Sequence, residues 1–162
     1  MLSDLDKAYI AGFLDGDGCI MFQLVRRKDY VWGYQIRASI VFYQKTVHRN
    51  HLEWLKSCFE TGYVRDRNDG MSEYTIVGLK AVKDVLVQLQ TFLRLKKPHA
   101  QLAFKIFENM PKRFTNQSFI KIGKLVDGYQ KLNYSKRRSN TSDVLKRFLE
   151  HRQSSIPVTT DS

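Results

Sequence analysis

The spacing of hydrophobic residues changes from helical to alternating near the start of the chain. Residues 4–15 contain no proline and only one glycine, and Ser3 followed by Asp6 is typical of a capped helix start. After Gly18, apolar side chains recur at every second position over 20–24, which is the period of a half-buried strand. The pattern predicts a first helix and then a strand.

The same alternation returns further along and is followed by a second helical segment. After a polar connection at 28–33, apolar and polar residues alternate again over 34–42. This pattern predicts a β-hairpin with one solvent-exposed face. Residues 45–60 carry apolar side chains at helical spacing before Gly62, which predicts a second helix packed on the sheet.

Two short strands and a series of helices complete the pattern. The strands are expected at 63–67 and 72–77, joined by Asn68-Asp69-Gly70, a strong hairpin signal. Helical spacing then covers 80–92, 98–110, 117–132 and 142–152. This order predicts an α+β fold with an αββαββ core, in which helices cover one face of a saddle of antiparallel β-sheet and further helices follow.

Length and composition favour one basic, soluble domain. We expect a single domain over 1–152 and a flexible tail at 153–162. Lys and Arg outnumber Asp and Glu by 27 to 16, a net charge of +11, which indicates a polyanionic partner or a basic but inert surface. No stretch could span a membrane, and the start lacks a basic secretory region. Cys19 and Cys58 lack metal or redox spacing, which favours reduced packing residues in an intracellular protein.

The first helix breaks two local rules. Ala8, Gly12 and Gly16 are four residues apart, so one stripe of the helix has almost no side chains, although glycine costs about 1 kcal/mol inside a helix. Asp15 and Asp17 lie at the C-terminal end, where the helix dipole disfavours negative charge. Residues 16–18 alone would also suit an ordinary turn, but the two broken rules together indicate a functional site.

A smooth helical stripe suits close contact with a second copy of the same helix. A two-fold pair would bring the two Asp17 carboxylates side by side. Two adjacent carboxylates repel each other, so they must share a proton or bind cations. Beside DNA phosphates we expect Mg²⁺, with Mn²⁺ as a substitute and Ca²⁺ as a competitor that binds without supporting cleavage.

The stretch 10–18 resembles the LAGLIDADG motif. It matches at Ala11, Gly12, Asp15, Asp17 and Gly18 and departs conservatively at the remaining positions. Segments 44–46, 62–67 and 92–96 also resemble parts of single-motif, intron-encoded homing endonucleases of algal organelles. The resemblance implies the fold of that family, a homodimer, and a protein encoded and acting in a chloroplast or mitochondrion.

The resemblance also implies roles for individual residues. It makes Asp17 the metal-binding carboxylate, with the Gly16 carbonyl beside it, and Asp15 a structural residue of the helix pair. Gln44 and Lys96 would act with Asp17 as catalytic residues that organise the attacking water and stabilise phosphate charge, although Lys96 alone would also suit a solvated lysine. The implied dimer interface comprises Ala8, Gly12, Asp15 and Gly16. His48 occupies a position where relatives often carry arginine, so the residue that supplies the basic group of this pocket is not identified.

Alternation also predicts the face that would contact DNA. Even positions of the strands are apolar and face the helices, so odd positions face outward. The outward set comprises Gln23, Val25, Arg27, Gln35, Arg37, Ser39, Val41, Arg65, Arg67, Glu73 and Thr75. A merely solvated face would carry Lys and Glu, whereas Arg and Gln suit guanine and adenine edges in the major groove. Ser135, Lys136, Arg137 and Arg138 would hold flanking phosphates, or form only a solvated run.

These expectations define one activity and one alternative. The activity is Mg²⁺-dependent hydrolysis of one phosphodiester per strand in a long, near-palindromic double-stranded DNA site of about 20 base pairs. Short 3′ overhangs are implied by the resemblance. No membrane and no small-molecule substrate are expected. The alternative is a non-cleaving nucleic-acid-binding protein on the same scaffold, either an RNA-splicing maturase or a regulator.

Overall fold

A four-stranded antiparallel sheet in the order β1-β2-β4-β3 organises the molecule. A computed structural model describes residues 1–136 and 138–154. The helices are α1 (Asp4–Asp17), α2 (Arg49–Phe59), α3 (Leu79–Leu89), α4 (Lys97–Asn109), α5 (Asn116–Leu132) and α6 (Ser142–Ser154). The strands are β1 (Gly18–Arg26), β2 (Tyr34–Lys45), β3 (Tyr63–Asp66) and β4 (Met71–Val77). The predicted α+β class and the αββαββ order with C-terminal helices are confirmed.

The boundary between β2 and α2 differs most from the prediction. The strand continues to Lys45 because β4 runs beside it as far as Met71, opposite Lys45. A 3-10 turn, Thr46–His48, then precedes α2. Its first amide donates to the Gly70 carbonyl at 2.9 Å, so the turn is fastened to the second hairpin. Helix 2 is therefore shorter than 45–60.

The core lies between the helices and the even-numbered face of the sheet. Ile20, Phe22, Ile40 and Phe42 are fully buried, as the alternation predicted, and Tyr74 joins them from β4. Large apolar side chains from α1, α2, α3, α4, α5 and α6 complete the same cluster. Burial of this apolar face is the main source of stability for the fold.

Helix α1 passes into β1 without a loop. The helix continues through Asp17, and Gly18 already has the extended backbone of the strand. A Cβ on Gly18 would lie 2.5 Å from Leu14 Cδ1 and 2.9 Å from the Leu14 carbonyl oxygen, so only glycine allows this close approach. The alternative interpretation of 16–18 as a separate turn is therefore wrong.

The C-terminal helices are fastened to the sheet and to each other. Asp127 of α5 accepts a hydrogen bond from the Ser142 amide at 3.1 Å, which caps the start of α6. Helix α6 runs to Ser154 and so includes two residues of the predicted tail, whereas 155–162 lie outside the described residues. No helix in the described ranges is long and apolar enough to cross a membrane. Cys19 and Cys58 are free thiols whose pKa values are raised by burial.

Candidate active site and nucleic-acid interface

Asp17 is the last residue of α1, and its side chain is exposed. No donor in the described part of the chain bonds to its carboxylate. The end of a helix also has backbone carbonyl oxygens without an intrahelical partner, such as that of Gly16. The helix dipole places further negative potential at this end. The end of α1 therefore offers several hard oxygen donors, a set that suits a divalent cation.

Asp15 fastens the end of α1 to the loop before α4. Its carboxylate accepts hydrogen bonds from the amides of Arg94 at 2.8 Å and Lys96 at 2.9 Å. These bonds satisfy the carboxylate inside one chain. They give Asp15 a structural role within the protomer, whereas a role in pairing two helices stays a prediction.

Lys96 is half-buried beside the end of α1. Its ammonium donates to the Asp15 carbonyl oxygen at 2.8 Å, two residues before Asp17. A cation at a helix C-terminus is stabilised by the helix dipole. Interpreting Lys96 as one more solvated lysine is therefore wrong.

Gln44 lies at the far end of β2 from the hairpin turn, close to where α1 ends. Gly18 stands opposite Phe42, so the level of Asp17 corresponds to residues 43 and 44 of β2. The Gln44 Oε1 accepts from the Lys45 amide at 2.9 Å, which leaves its NH₂ group free to donate. His48 is exposed at the end of the 3-10 turn.

One side of α1 is open and apolar. Ala8, Gly12 and Gly16 are exposed, and a Cβ added to either glycine would meet no atom within 4 Å. Leu5, 84% exposed, and Tyr9, 53% exposed, continue this surface. We call the five residues the open face of α1. Exposed apolar side chains that lie together in this way are typical of an interaction surface.

The odd-numbered face of the sheet carries the predicted arginines. Arg37 is exposed and makes no hydrogen bond or ion pair with the described residues. Three other arginines of this face form ion pairs with aspartate or glutamate side chains. These pairs are Arg27 with Asp29 at 2.9 Å, Arg65 with Glu73 at 2.5 Å and Arg67 with Asp69 at 2.7 Å. Arg27 also lowers the pKa of Asp29 through its hydrogen bond. Exposed pairs contribute about 0–1 kcal/mol, so each arginine can exchange its acid for another partner.

Burial along the odd face is less even than predicted. Gln23, Val25 and Gln35 are half-buried near the hairpin turn. Ser39, Val41 and Thr75 belong to the odd face but are no more than 5% exposed, so the expectation that they are exposed is wrong. The reason is that β2 lies between two strands. Residues from β1 and β4 flank Ser39 and Val41 in register, and Thr75 lies between Val41 and Tyr63.

The basic segment after α5 divides into two parts. Ser135 and Lys136 are exposed, whereas Arg137 lies outside the described residues. Arg138 is half-buried and donates through one guanidinium nitrogen to the Phe22 carbonyl at 2.9 Å, so part of its side chain has a structural role, whereas its contact with phosphate stays a prediction. The guanidinium is half-buried and therefore has limited access to water, so it needs a hydrogen-bond acceptor within the protein. The Phe22 carbonyl is that acceptor. Arg138 therefore fastens the segment to β1.

A groove of about 750 Å³ beside Asp15 and Lys96 was not predicted. His99 and Asn133 line it and are hydrogen-bonded at 2.9 Å, and Asn133 in turn donates to the Ile20 carbonyl at 3.0 Å. Asn133 therefore presents its carbonyl oxygen to His99, whose Nε2 must donate. Burial lowers the pKa of His99. The groove combines three distant segments, and no local spacing in the sequence indicates that they meet.

Side chains that could bind a metal do not cluster in the described part of one chain. Within residues 1–136 and 138–154, no three His, Cys, Asp or Glu side chains form a cluster that could hold a metal ion. At the end of α1, the exposed Asp17 carboxylate lies two residues beyond the Asp15 carbonyl that accepts a hydrogen bond from the Lys96 ammonium.

Comparisons with known proteins identify the family of the chain. Residues 10–108 match the LAGLIDADG endonuclease family model. The chain is 34% identical to DNA endonuclease I-CvuI of Chlorella vulgaris, covering 90% of this chain and 91% of the relative. It is 36% identical to DNA endonuclease I-CreI of Chlamydomonas reinhardtii, covering 88% and 87%. A crystal structure of I-CvuI with its DNA target in the presence of Ca superposes with a TM-score of 0.85, at 33% identity, over 91% of this chain and 94% of that one. The chain belongs to the LAGLIDADG endonuclease family.

Proposed function

We propose that this protein is a site-specific homing endonuclease that cleaves both strands of double-stranded DNA. The observation that carries the proposal is the Asp17 carboxylate, which accepts no hydrogen bond from the described residues and lies at the end of α1. The open face of the same helix has room for a second chain. Two relatives of nearly equal length are named DNA endonucleases, which supports the same activity here. A carboxylate free to bind a cation favours cleavage over a binding protein that does not cut.

The working form is a homodimer joined through the open face of α1. Gly12 and Gly16 leave room for a second backbone, because a Cβ at either position would meet nothing in its own chain. Two exposed apolar side chains would be covered by the same contact. Leu5 of the open face is 84% exposed, and Leu95, between the two amides that bond to Asp15, is 75% exposed. A two-fold axis along the stripe would bring the two Asp17 residues together.

The residues at the end of α1 fit a magnesium ion. The Asp17 carboxylate and the Gly16 carbonyl would hold it with hard oxygen ligands, which also suit Mn²⁺ and Ca²⁺. A bound divalent cation supplies an attacking water of lowered pKa and stabilises the leaving oxygen. Ca²⁺ is expected to bind without supporting cleavage.

Lys96 and Gln44 complete the polar surroundings of the scissile phosphate. The Lys96 ammonium is held at the Asp15 carbonyl, so its charge stays near the end of α1 and stabilises the phosphate. The Gln44 NH₂ group is free to donate to a water or a phosphate oxygen, because Oε1 is already occupied by the Lys45 amide. Lys96 thus supplies a positive charge, and Gln44 supplies a neutral hydrogen-bond donor.

The odd face of the sheet would lie in the major groove. A two-stranded ribbon fits that groove, and exposed arginines suit guanine edges. Because both half-sites are read by the same chain, the preferred site is near-palindromic. Lys136 and Ser135 are exposed and would contact flanking phosphates. The gene is proposed to lie in an intron of a chloroplast or mitochondrial genome.

A nuclease assay on a library of double-stranded DNA sites tests the proposal. The purified protein is incubated with the library and Mg²⁺, Ca²⁺ or a chelator, and bound and cut fragments are sequenced separately. We expect one family of sites to be cut with Mg²⁺ and bound without cutting with Ca²⁺. Selective binding with no cutting in Mg²⁺ or Mn²⁺ would favour the non-cleaving alternative.

A further inference from the structure

The outer half of the first hairpin lacks support from the sheet. Strand β4 pairs with β2 only from Ser39 to Lys45, whereas β1 pairs with β2 as far as Arg26 opposite Tyr34. Residues 22–26 and 34–38 therefore form a two-stranded ribbon with no third strand. An isolated two-stranded ribbon is marginally stable in water. Residues 27–33, which we call the tip, extend beyond it.

Helix α6 supports the base of the tip. The Arg26 guanidinium donates to the Gly33 carbonyl and lies 4.4 Å from the centre of the Phe148 ring. Tyr34 contacts the same ring at 5.4 Å. Gly33 has a φ of 71°, and a Cβ there would lie 2.5 Å from Phe148 Cζ, so the tip backbone rests directly on α6.

Two further contacts hold the tip itself. Trp32 lies 6.4 Å from the Phe114 ring and 5.8 Å from the Phe119 ring, which places it against the end of the α4–α5 connection and the first turn of α5. Arg152, near the end of α6, donates to the Val31 carbonyl. Edge-on aromatic pairs contribute about 0.5–1.5 kcal/mol each beyond area burial, so these contacts can restrain a short loop.

The opposite side of the tip carries Arg27. Its guanidinium is aligned by Asp29 and by a 3.2 Å hydrogen bond to Gln35, both in or beside the tip. Bidentate recognition of a base requires placement to within about 0.5 Å. Any movement of the tip would therefore move Arg27 relative to the DNA.

We propose that α6 and the α4–α5 connection act as a positioning platform that sets base preference at the outer end of each half-site. The proposal rests on the proposed function. The tip lies about 30 Å along the ribbon from Gly18, or roughly nine base pairs from the dimer centre. Trp32 and Arg152 are the positioning residues, and neither needs to contact a base.

Base preference is measured by binding selection with Ca²⁺ on a library randomised over the whole site. The variants are Trp32→Ala and Arg152→Ala, with Trp32→Phe as the conservative replacement. Lys146→Ala is the matched control, because Lys146 lies on α6 and its one ion pair with a described residue is with Glu150 at 3.9 Å. We expect about a tenfold loss of discrimination at the outer base pairs, within the range of one bidentate contact, and no change at the central ones. Trp32→Phe and Lys146→Ala should keep the wild-type preference.

A second readout separates this proposal from the proposed function. Amide hydrogen exchange over 27–33, measured without DNA, should accelerate in Arg152→Ala and stay unchanged in Lys146→Ala. Unchanged outer preference, or a loss spread evenly over the site, would overturn the platform. Should Trp32→Ala fail to fold, Arg152→Ala carries the same test, since it removes one surface contact. Failure of the wild-type protein to select any DNA would instead refute the proposed function.

Discussion

Replacing Gly12 by Val separates the stability of the chain from the stability of the dimer. In one chain the added side chain enters open space, since a Cβ at Gly12 meets no atom within 4 Å. Glycine is the poorer helix former, so the substitution should stabilise α1 itself by a few tenths of a kcal/mol. The fold of the single chain should therefore persist.

The effect on the dimer has the opposite sign. Overpacking costs about 1–3 kcal/mol at one site, and a two-fold interface contains the substitution twice. The dimer should lose about 2–6 kcal/mol, which raises its Kd roughly 30-fold to more than 10,000-fold. Analytical ultracentrifugation over a range of concentrations would report the change, with circular dichroism as the measure of folding.

Gln101→Val is a matched control, because it adds the same side chain to an exposed position of α4. It should leave the dimer intact. An unperturbed Gly12→Val dimer would refute the assignment of the open face of α1 as the interface. Loss of helical content in Gly12→Val alone would refute the claim that Gly12 is needed only between chains.

Three further predictions concern charge and protonation. Asp17→Asn should keep the fold and DNA binding but abolish cleavage, because it removes metal-binding charge without touching the sheet; gel-shift and nuclease assays on one substrate check it. Arg37→Ala should relax preference at one base pair of each half-site at a cost of about 1–3 kcal/mol, whereas Lys136→Ala should weaken all sequences alike and reduce the salt dependence, as library profiling at two salt concentrations would report. His99 has a pKa lowered by burial, so the unfolded chain binds its proton first and stability should fall as the pH drops below about 6.5. His99→Gln keeps a donor for Asn133 and should flatten that dependence in thermal melts at pH 7 and pH 5; equal slopes for both proteins would contradict this role.

Periodicity was sufficient to predict the order of elements and the core face of the sheet. Ile20, Phe22, Ile40 and Phe42 are buried as alternation requires, because one face of each strand must leave water. Alternation alone cannot report what flanks a strand in the sheet. Val41 belongs to the outward face, yet neighbours on both sides bury it in the centre of the sheet.

Contacts between distant segments could not be predicted from spacing. The hydrogen bond from the Lys96 amide to the Asp15 carboxylate joins residues 81 positions apart. In the sequence, Arg138 belongs to a run of basic residues. The structure shows that it donates a hydrogen bond to the Phe22 carbonyl in β1, 116 positions away. Trp32 likewise belongs to a polar connection in sequence, whereas its ring contacts are Phe114, just before α5, and Phe119, in the first turn of α5.

Mapping the cut ends on a randomised double-stranded library tests the central claim most directly. With Mg²⁺, the wild-type protein should produce one break in each strand, symmetric about the centre of a near-palindromic site, with short 3′ overhangs. The Asp17→Asn protein should bind the same sites and leave both strands intact. Cutting of wild-type efficiency by Asp17→Asn, or breaks with no two-fold symmetry, would contradict a centre formed by Asp17 from two copies of α1.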